Sequence, residues 1–477
     1  MKVVLAGYNI DLEALKARAK ILTPEVFSAA YARISRSDQE IPELRKVAYT
    51  ELKKAREQNR RIIYEMGHHS IAEHCVFNFD LMGLSRLAVE QVEAHRLVSY
   101  TEASQRYIKW RANYVIPKEL KKNKLLRLYK NTIAEQLKAY YYLIDKLSQW
   151  QNNTPTKLNC GPKPRVWEDA RYITPLALKT QLGMTINGRN LELMIRRLAS
   201  SELQELKELG RKLYRCAIKV APSIILFYKA TDYDQKTYEE IKAALRHTSE
   251  KSAPESACRL IDYTQDADNK LLASLIVRVN NSSYERALRL VKNMTQDQKL
   301  KLITKTFKYA RFYDAALREY EHCYLTYELI ISAAAYAQLK RHRMATISAS
   351  DYDLDLGVTI PDSIIRAKEI DLFRKIIGLT EKAYKKIAQH LPQIAPYVLT
   401  QAHRRRVLVT INLRELYHIA RLRMDQTAQW DIRNLVSQMV ELARDVMPLG
   451  MLFCTAKDQY DKLYKQYFDK EDGNEAE

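Results

Sequence analysis

Glycine and proline are scarce in this chain, at 11 and 13 among 477 residues. With so few of the strongest chain-turning residues, the sequence is predicted to run mostly in long helices with few tight turns. Cysteine is scarce as well. The six cysteines, Cys75, Cys160, Cys216, Cys258, Cys323 and Cys454, form no CxxC pair. That argues against a zinc knuckle or a dithiol redox site, and no metal is expected. Scattered single cysteines fit a reducing cytoplasm. No apolar run approaches the length of a bilayer span. The opening MKVVLAGYNI reads as a strand and lacks the apolar core and cleavage site of an export signal. The expected location is therefore the cytoplasm, with no membrane partner. Phenylalanine, at 9, is far outnumbered by tyrosine, at 31. Many rings thus carry a hydroxyl suited to a wet or ligand-facing surface.

Positive charge is abundant. A formal net charge of +21 points to anionic partners: nucleotides, polyanionic cofactors or RNA, among which charge alone does not choose. The length suits two or three domains with sizeable cores. Helical spacing of apolar residues is predicted over Pro24–Ala32, Pro42–Met66, Ser85–Arg96 and Leu120–Trp150, and ordered helical structure over Trp167–Tyr228. Gly67–Ser70 breaks the second of these, and CVFNFDLM, from Cys75, alternates like a strand with one covered face. A loop, QNNTPTKLNCGPKPR, follows Trp150. The polar stretch Thr231–Ala253 marks the join between two units.

One stretch concentrates chemistry. Gln91 to Tyr107, QVEAHRLVSYTEASQRY, holds His95, Arg96, Glu102, Ser104, Gln105 and Arg106. Two arginines beside a histidine, a hydroxyl and a carboxylate can cradle a phosphorylated, hydrogen-bonding ligand. Such a run can equally be the solvated face of a helix. The second half of the chain bears on the choice, because it repeats the first. Glu73-His74 recurs as Glu321-His322, Gln91 as Gln338, and His95-Arg96 as His342-Arg343, the last at a shift of 342 − 95 = 247. The TINGRNLEL run from Thr185 recurs as TINLRELYH from Thr410, at 410 − 185 = 225. Matching order with unequal offsets implies duplication followed by trimming of loops. Two copies are too few for a solenoid, so two packed domains are expected, 1–230 and 231–477.

These motifs resemble the flavin-dependent thymidylate synthases. That family's signature is Arg-His-Arg, seven residues, then Ser in a run ending Ser-x-Arg-Tyr. Ala94-His95-Arg96, seven residues and Ser104-Gln105-Arg106-Tyr107 match it at all but one place. Gly67-His68-His69-Ser70 with Glu73-His74 is similar to an upstream element of the family. Asn412-x-Arg414, His418, Arg423 and Ala428-Gln429-Trp430-Asp431-Ile432 resemble its C-terminal signature. The resemblance implies an α+β fold of two tandem domains, each helix-rich around a central, mainly antiparallel sheet. It also implies an enzyme that makes dTMP from dUMP, with FAD as cofactor and NADPH and methylenetetrahydrofolate as co-substrates. No cysteine nucleophile is needed, because the cofactor carries the chemistry. The implied assembly is a homodimer equivalent to a four-domain tetramer.

Carried over by position, the resemblance assigns Arg423 and Ser104 to catalysis. It assigns His68, Ser70, His95, Arg96, Arg341, His342, Arg343, Asn412, Arg414 and His418 to the cofactor. Gln91, Glu102, Ser104, Gln105, Arg106, Arg171 and Arg423 are assigned to the substrate. The two copies depart from the family pattern in complementary places. The first has Ala94 for the leading signature arginine and Leu198 for the uracil-facing one. The second keeps Arg341-His342-Arg343 and a nearly complete C-terminal element, but has Ala349, Asp351 and Asp353 where Glu, Ser and Arg belong. Carboxylates there would repel a phosphate. The expected outcome is a division of labour, with composite sites joining the first copy's loop to the second copy's Asn412, Arg414, His418 and Arg423. Arg171 lies in the first copy, with Pro396 at the matching place, so the split is not clean. Glu73 and Glu321, present in both copies, read as structural, Glu102 as ligand-facing and Trp430 as core. Two other readings stand beside the enzyme: a flavoenzyme of this fold acting on another uracil substrate such as uridine in RNA, and a non-catalytic nucleotide- or RNA-binding descendant.

Overall fold

The computed structural model describes residues 1–106, 112–153, 166–245 and 256–468. Tyr107, Cys160, most of the loop after Trp150 and the end of the polar join lie outside the described residues. Unit 1 comprises Met1–Tyr142, Ile173–Lys251 and Asp371–Thr400, and unit 2 comprises Leu143–Tyr172, Ser252–Ile370 and Gln401–Glu477. Each unit thus includes a segment of the other repeat. The boundary near residue 230 stands as a proposal about the repeats in sequence, and the compact units do not follow it. No described helix is long and apolar enough to cross a membrane.

Each unit is built on a four-stranded sheet. Strands β1 (Lys2–Tyr8), β2 (Val76–Ser85), β3 (Val98–Glu102) and β4 (Lys179–Asn187) form the first, in the order β1-β2-β4-β3. Strands β5 (Cys258–Tyr263), β6 (Tyr324–Ser332), β7 (Thr346–Tyr352) and β8 (Arg404–Asn412) form the second, in the order β5-β6-β8-β7. Every pairing is antiparallel, as the family resemblance implies. In β2, Phe77, Phe79 and Leu81 point inward while Asn78 and Asp80 are exposed, the alternation expected of a half-covered strand.

Register ties the repeats together residue by residue. Thr185 pairs with Asn78 on one side and Ser99 on the other. Thr410 pairs with Thr326 and Thr346. The offsets on this rung are 410 − 185 = 225, 326 − 78 = 248 and 346 − 99 = 247. They match the motif offsets in the sequence, so each loop trim fell between strands and left the ladder intact.

Three sequence expectations are corrected. Trp167–Tyr228 is not helical throughout, because Lys179–Asn187 is β4, with Thr180, Leu182, Met184 and Ile186 buried alternately. Ser85–Arg96 is helical only over Arg86–Val92; Tyr100 of the following β3 donates its hydroxyl to Val92 O at 2.7 Å, at the helix end. Pro42–Met66 divides into helices Ile41–Thr50 and Leu52–Arg60 and a π-turn, Arg61–Glu65. At the first break the Thr50 hydroxyl bonds back to Lys46 O at 2.8 Å, a side-chain bond that competes with helix continuation.

The exchanged segments are held by a recurring trio of serine, acid and tyrosine. In unit 1, Ser85 donates its amide and hydroxyl to the two oxygens of Glu205 at 2.8 and 2.7 Å, and Tyr397 donates to the same carboxylate at 2.7 Å. In unit 2, Ser332 and Tyr172 donate to Asp431 Oδ2 at 2.6 and 2.8 Å. Both serines also cap the helix that follows, accepting from Ala88 N and Ala335 N. Each tyrosine comes from the segment contributed by the other repeat. Backbone bonds reinforce the seats, from Leu176 N to Leu399 O (2.8 Å) in unit 1 and from Ala402 N to Tyr172 O (2.9 Å) in unit 2.

A test follows for Tyr397. Burial holds Glu205 above the usual carboxylate range, opposed by the hydrogen bonds from Tyr397 and Ser85. Tyr397→Phe removes a donor to the ionised form and is expected to cost about 1.5–3 kcal/mol. The carboxyl's folded value then rises further above its unfolded one. Stability linked to this group is present at low pH and lost as pH rises through the folded value. Denaturant unfolding should therefore show the larger deficit at pH 8 and a smaller one near pH 4.

Candidate functional site

In unit 1 the stretch from Gln91 to Arg106 is not one helical face. It leaves the Arg86–Val92 helix, turns through His95 and Arg96, and runs along β3 to Ser104. Glu102, expected to face ligand, is paired with the Arg86 guanidinium, and the two side chains are 8% and 9% exposed. At the shift of 247 the second repeat has Ala333 and Ala349 there, so both ions are absent together. Ser104 Oγ accepts from Arg106 N at 3.1 Å, which folds the loop back on itself. Gln91 is exposed, with Ser201 Oγ 3.4 Å from its Oε1. Arg96 is exposed and Arg106 half-buried.

Apart from Glu93, two side chains of this stretch are buried with polar atoms lacking a hydrogen-bond partner among the described residues. They are Gln105, at both amide atoms, and His95, at Nε2. His95 Nδ1 is 3.2 Å from Val92 O. Burial pushes its imidazole down to about 4. The orphaned nitrogen has a sequence cause, since Leu198 stands where the second repeat has Arg423.

His68 and Ser70 line a cleft of about 530 Å³ in unit 1, with Tyr31, Arg36, Ile62, Ile71 and His74. Gly67, at φ +76°, makes the left-handed step that delivers them. Apolar walls with three hydroxyls, two imidazoles and a guanidinium suit a flat heteroaromatic group carrying phosphate. The donor set therefore fits part of a flavin nucleotide.

In unit 2, Arg423 and His342 come together across 81 residues of sequence. Arg423 Nε donates to His342 Nε2 at 3.0 Å, and Nη2 to Gln338 O at 3.4 Å. The Gln338 side chain donates to Gln429 Oε1 at 3.1 Å, and Gln429 donates to the Tyr172 hydroxyl at 2.9 Å. Burial, then the charges of Arg423, His418 and Arg341, hold His342 well below its ordinary value. Arg341 and Arg343 flank it in sequence.

The remaining assigned residues have work inside their own units. Asn412 caps the Leu413–Arg423 helix, accepting from Glu415 N at 2.9 Å, as Asn187 accepts from Asn190 N at 2.9 Å. Arg414 donates to Glu321 Oε1 at 2.7 Å and to Ala316 O at 2.8 Å, and Arg189 donates to Glu73 at 2.6 Å. The recurring glutamates are thus anchors for an arginine two residues past each cap. His418 Nδ1 accepts from Arg421 at 3.2 Å. Arg171 lies in unit 2, 3% exposed, with Nε on Glu168 O at 3.2 Å. Trp430 stacks on Tyr172, ring centroids 5.6 Å apart, and donates to Asp169 at 2.7 Å. Asp353 caps the turn Leu354–Leu356. Sequence reasoning missed Tyr172 and Glu415, and it placed Gln429 in the C-terminal signature without a role. The serine recurring before each helix, Ser85 and Ser332, was the available signal for the tyrosine.

The family model described as thymidylate synthase complementing protein matches residues 19–223 and 259–449. A UPF0159 protein of Thermoplasma acidophilum is 22% identical over 479 residues, spanning 88% of this chain and 93% of that protein. A flavin-dependent thymidylate synthase of Clostridium tetani is 31% identical over 169 residues, or 35% of this chain and 68% of that one. Among solved structures, flavin-dependent thymidylate synthase of Helicobacter pylori complexed with FAD and dUMP is 20% identical. It covers 47% of this chain and 100% of that chain, with a TM-score of 0.31. With both repeats matched by the one family model, the chain belongs to the thymidylate synthase complementing protein family, whose named relatives include the flavin-dependent thymidylate synthases.

Proposed function

We propose that this protein is a flavin-dependent enzyme that methylates dUMP reductively to dTMP. The observation that carries the reading is the convergence of Arg423 on His342 and Gln338, family-motif positions 81 and 85 residues away in sequence. When bound, FAD reduced by NADPH supplies reducing equivalents, and methylenetetrahydrofolate supplies the one-carbon unit. For the flavin, unit 1 would offer His68 and Ser70, in their cleft, with His95 and Arg96, and unit 2 would offer Arg341, His342, Arg343, Arg414 and His418. The Asn412 amide nitrogen would add a donor, its oxygen being used by the helix cap. For dUMP the candidate contacts would be Gln91, Gln105 and Arg106 in unit 1 and Arg171 in unit 2, with guanidinium charge set against a phosphate. Ser104 in unit 1 and Arg423 in unit 2 would each be placed to act at a uracil, Arg423 as a fixed donor toward developing negative charge on a ring oxygen. The implied assembly is a homodimer.

Two measurements test this. Purified protein should be yellow, its flavin absorbance bleached by NADPH, and should release tritium from 5-labelled dUMP only with methylenetetrahydrofolate. Bound, reducible flavin without release would overturn the dUMP reading, and uracil in RNA is then the substrate to assay. Arg106→Ala and Arg423→Ala should each lower release by more than tenfold while flavin stays bound. If either change leaves nucleotide affinity unaltered, the division of labour between the repeats is wrong.

A further inference from the structure

Arginine has no acceptor atom and keeps its protons. The contact from Arg423 Nε to His342 Nε2, 3.0 Å, therefore requires a bare lone pair on that nitrogen. The imidazole is then neutral, with its proton on Nδ1. That nitrogen faces Glu415 Oε1 at 3.8 Å. His342 and Glu415 are buried, at 4% and 9% exposure.

We propose that Glu415 and His342 are positioning residues that lock the Arg423 guanidinium, with the carboxylate fixing the histidine tautomer and the histidine fixing the arginine. The groups facing His342 are Arg423, His418 and Glu415 from the Leu413–Arg423 helix, and Arg341 beside it in sequence. Three are basic, so a proton on the imidazole would meet their charge and lose the Arg423 contact. A second arm reaches the same guanidinium at Nη2, through Gln338, Gln429 and Tyr172. Tyr172 belongs to the segment from the first repeat, which thereby braces an arginine of the second.

The first repeat serves as an internal control. At the offset of 225 it has Asn190 for Glu415 and Leu198 for Arg423, and it retains His95. With the guanidinium gone, His95 Nε2 has no partner among the described residues. The carboxylate and the arginine are missing together, as members of one device would be.

Burial pushes Glu415 up to about 7, opposed by a hydrogen bond from the Met344 backbone and by Arg343 and Arg414. The carboxylate is thus formed as pH rises through neutrality, and the lock tightens over that range.

The test uses the full chain labelled with nitrogen-15 histidine. The His342 resonances should report the neutral Nδ1–H tautomer at pH 7 to 8. In Arg423→Leu, which copies the first repeat, its titration should move up toward the ordinary range. An imidazolium or an Nε2–H tautomer in the unaltered protein at pH 7 overturns the inference. The functional consequence rests on the proposed role of Arg423. Glu415→Gln, nearly isosteric, should lower kcat at pH 8 by five- to twentyfold with KM little changed, and should remove the rise in rate near pH 7. Glu415→Asp should restore part of both. The expected tautomer in an enzyme whose rate is indifferent to Arg423→Leu would retain the lock and overturn the role of Arg423. A rate sensitive to Arg423→Leu but indifferent to Glu415→Gln would overturn the positioning role instead.

Discussion

Arg86→Ala is expected to destabilise unit 1 by about 3–5 kcal/mol, because it strands the Glu102 carboxylate in a buried site. Glu102→Ala should cost a similar amount by stranding Arg86. The double change should cost far less than the sum of the two, and the coupling is read from a denaturant double-mutant cycle. The second repeat motivates this expectation, since Ala333 and Ala349 occupy the same two places beside the same ladder positions. Removing both members of a buried pair leaves a small cavity but no unpaired charge. The cycle also decides what Glu102 does. A ligand-facing glutamate would lose nucleotide affinity on substitution without losing stability, whereas the observed pairing predicts the reverse order of effects.

Gly188→Ala is the second large effect, at about 3 kcal/mol or more. A Cβ at this position would stand 2.5 Å from Ile224 Cγ2 and 2.7 Å from the carbonyl oxygen of Ala72. The first is a side chain that can shift at a cost; the second is backbone. Gly188 opens the helix Gly188–Ser200, its amide bonded to Cys75 O at 2.8 Å, so the chain cannot back away without losing that bond. The second repeat solves the same contact with the sizes reversed. Leu413 replaces Gly188 and Gly450 replaces Ile224, and a Cβ on Gly450 would meet Leu413 Cδ1 at 3.0 Å. Gly188→Ala combined with Ile224→Gly should therefore cost less than the sum of the two single changes. The carbonyl of Ala72 keeps the rescue incomplete. Thermal unfolding of the four proteins measures this, and additive losses would show that the two positions are not coupled.

Much of the architecture was legible because duplication writes itself twice. The Glu-His and His-Arg pairs and the Thr-Ile-Asn run give three offsets, and all three meet on one rung of each sheet. Strand β2 declared itself through Phe77 and Phe79 alternating with Asn78 and Asp80. Strand β4 did not. Its run KTQLGMTIN lies between segments of helical spacing, and its partners on both sides lie about 80–110 residues earlier in the chain. Only pairing makes it a strand, which is the usual way context overrides local preference. Strand β3 was hidden similarly, by a continuation of charge and polarity that reads as a helix surface.

For the proposed site, residue identity was enough to nominate His95, Ser104, His342 and Arg423, because each stands at a fixed distance from a motif that recurs. Partner choice was not encoded locally. Whether a carboxylate meets a ligand or an arginine depends on which strand or helix lies across from it. Glu102 is accordingly found with Arg86, and Glu73 and Glu321 with Arg189 and Arg414. The sequence by itself determined that there are two copies of one fold, which motif residues each keeps, and that the losses are complementary. The tertiary structure decided that Tyr172 and Tyr397 serve the unit built on the other repeat. It also decided that Arg86 neutralises Glu102, and that Arg423 is held by His342 and Gln338. Each of those outcomes depends on burial and on contacts between residues tens to hundreds of positions apart. A buried polar atom takes the partner that packing brings within hydrogen-bond reach, and linear spacing does not specify that partner.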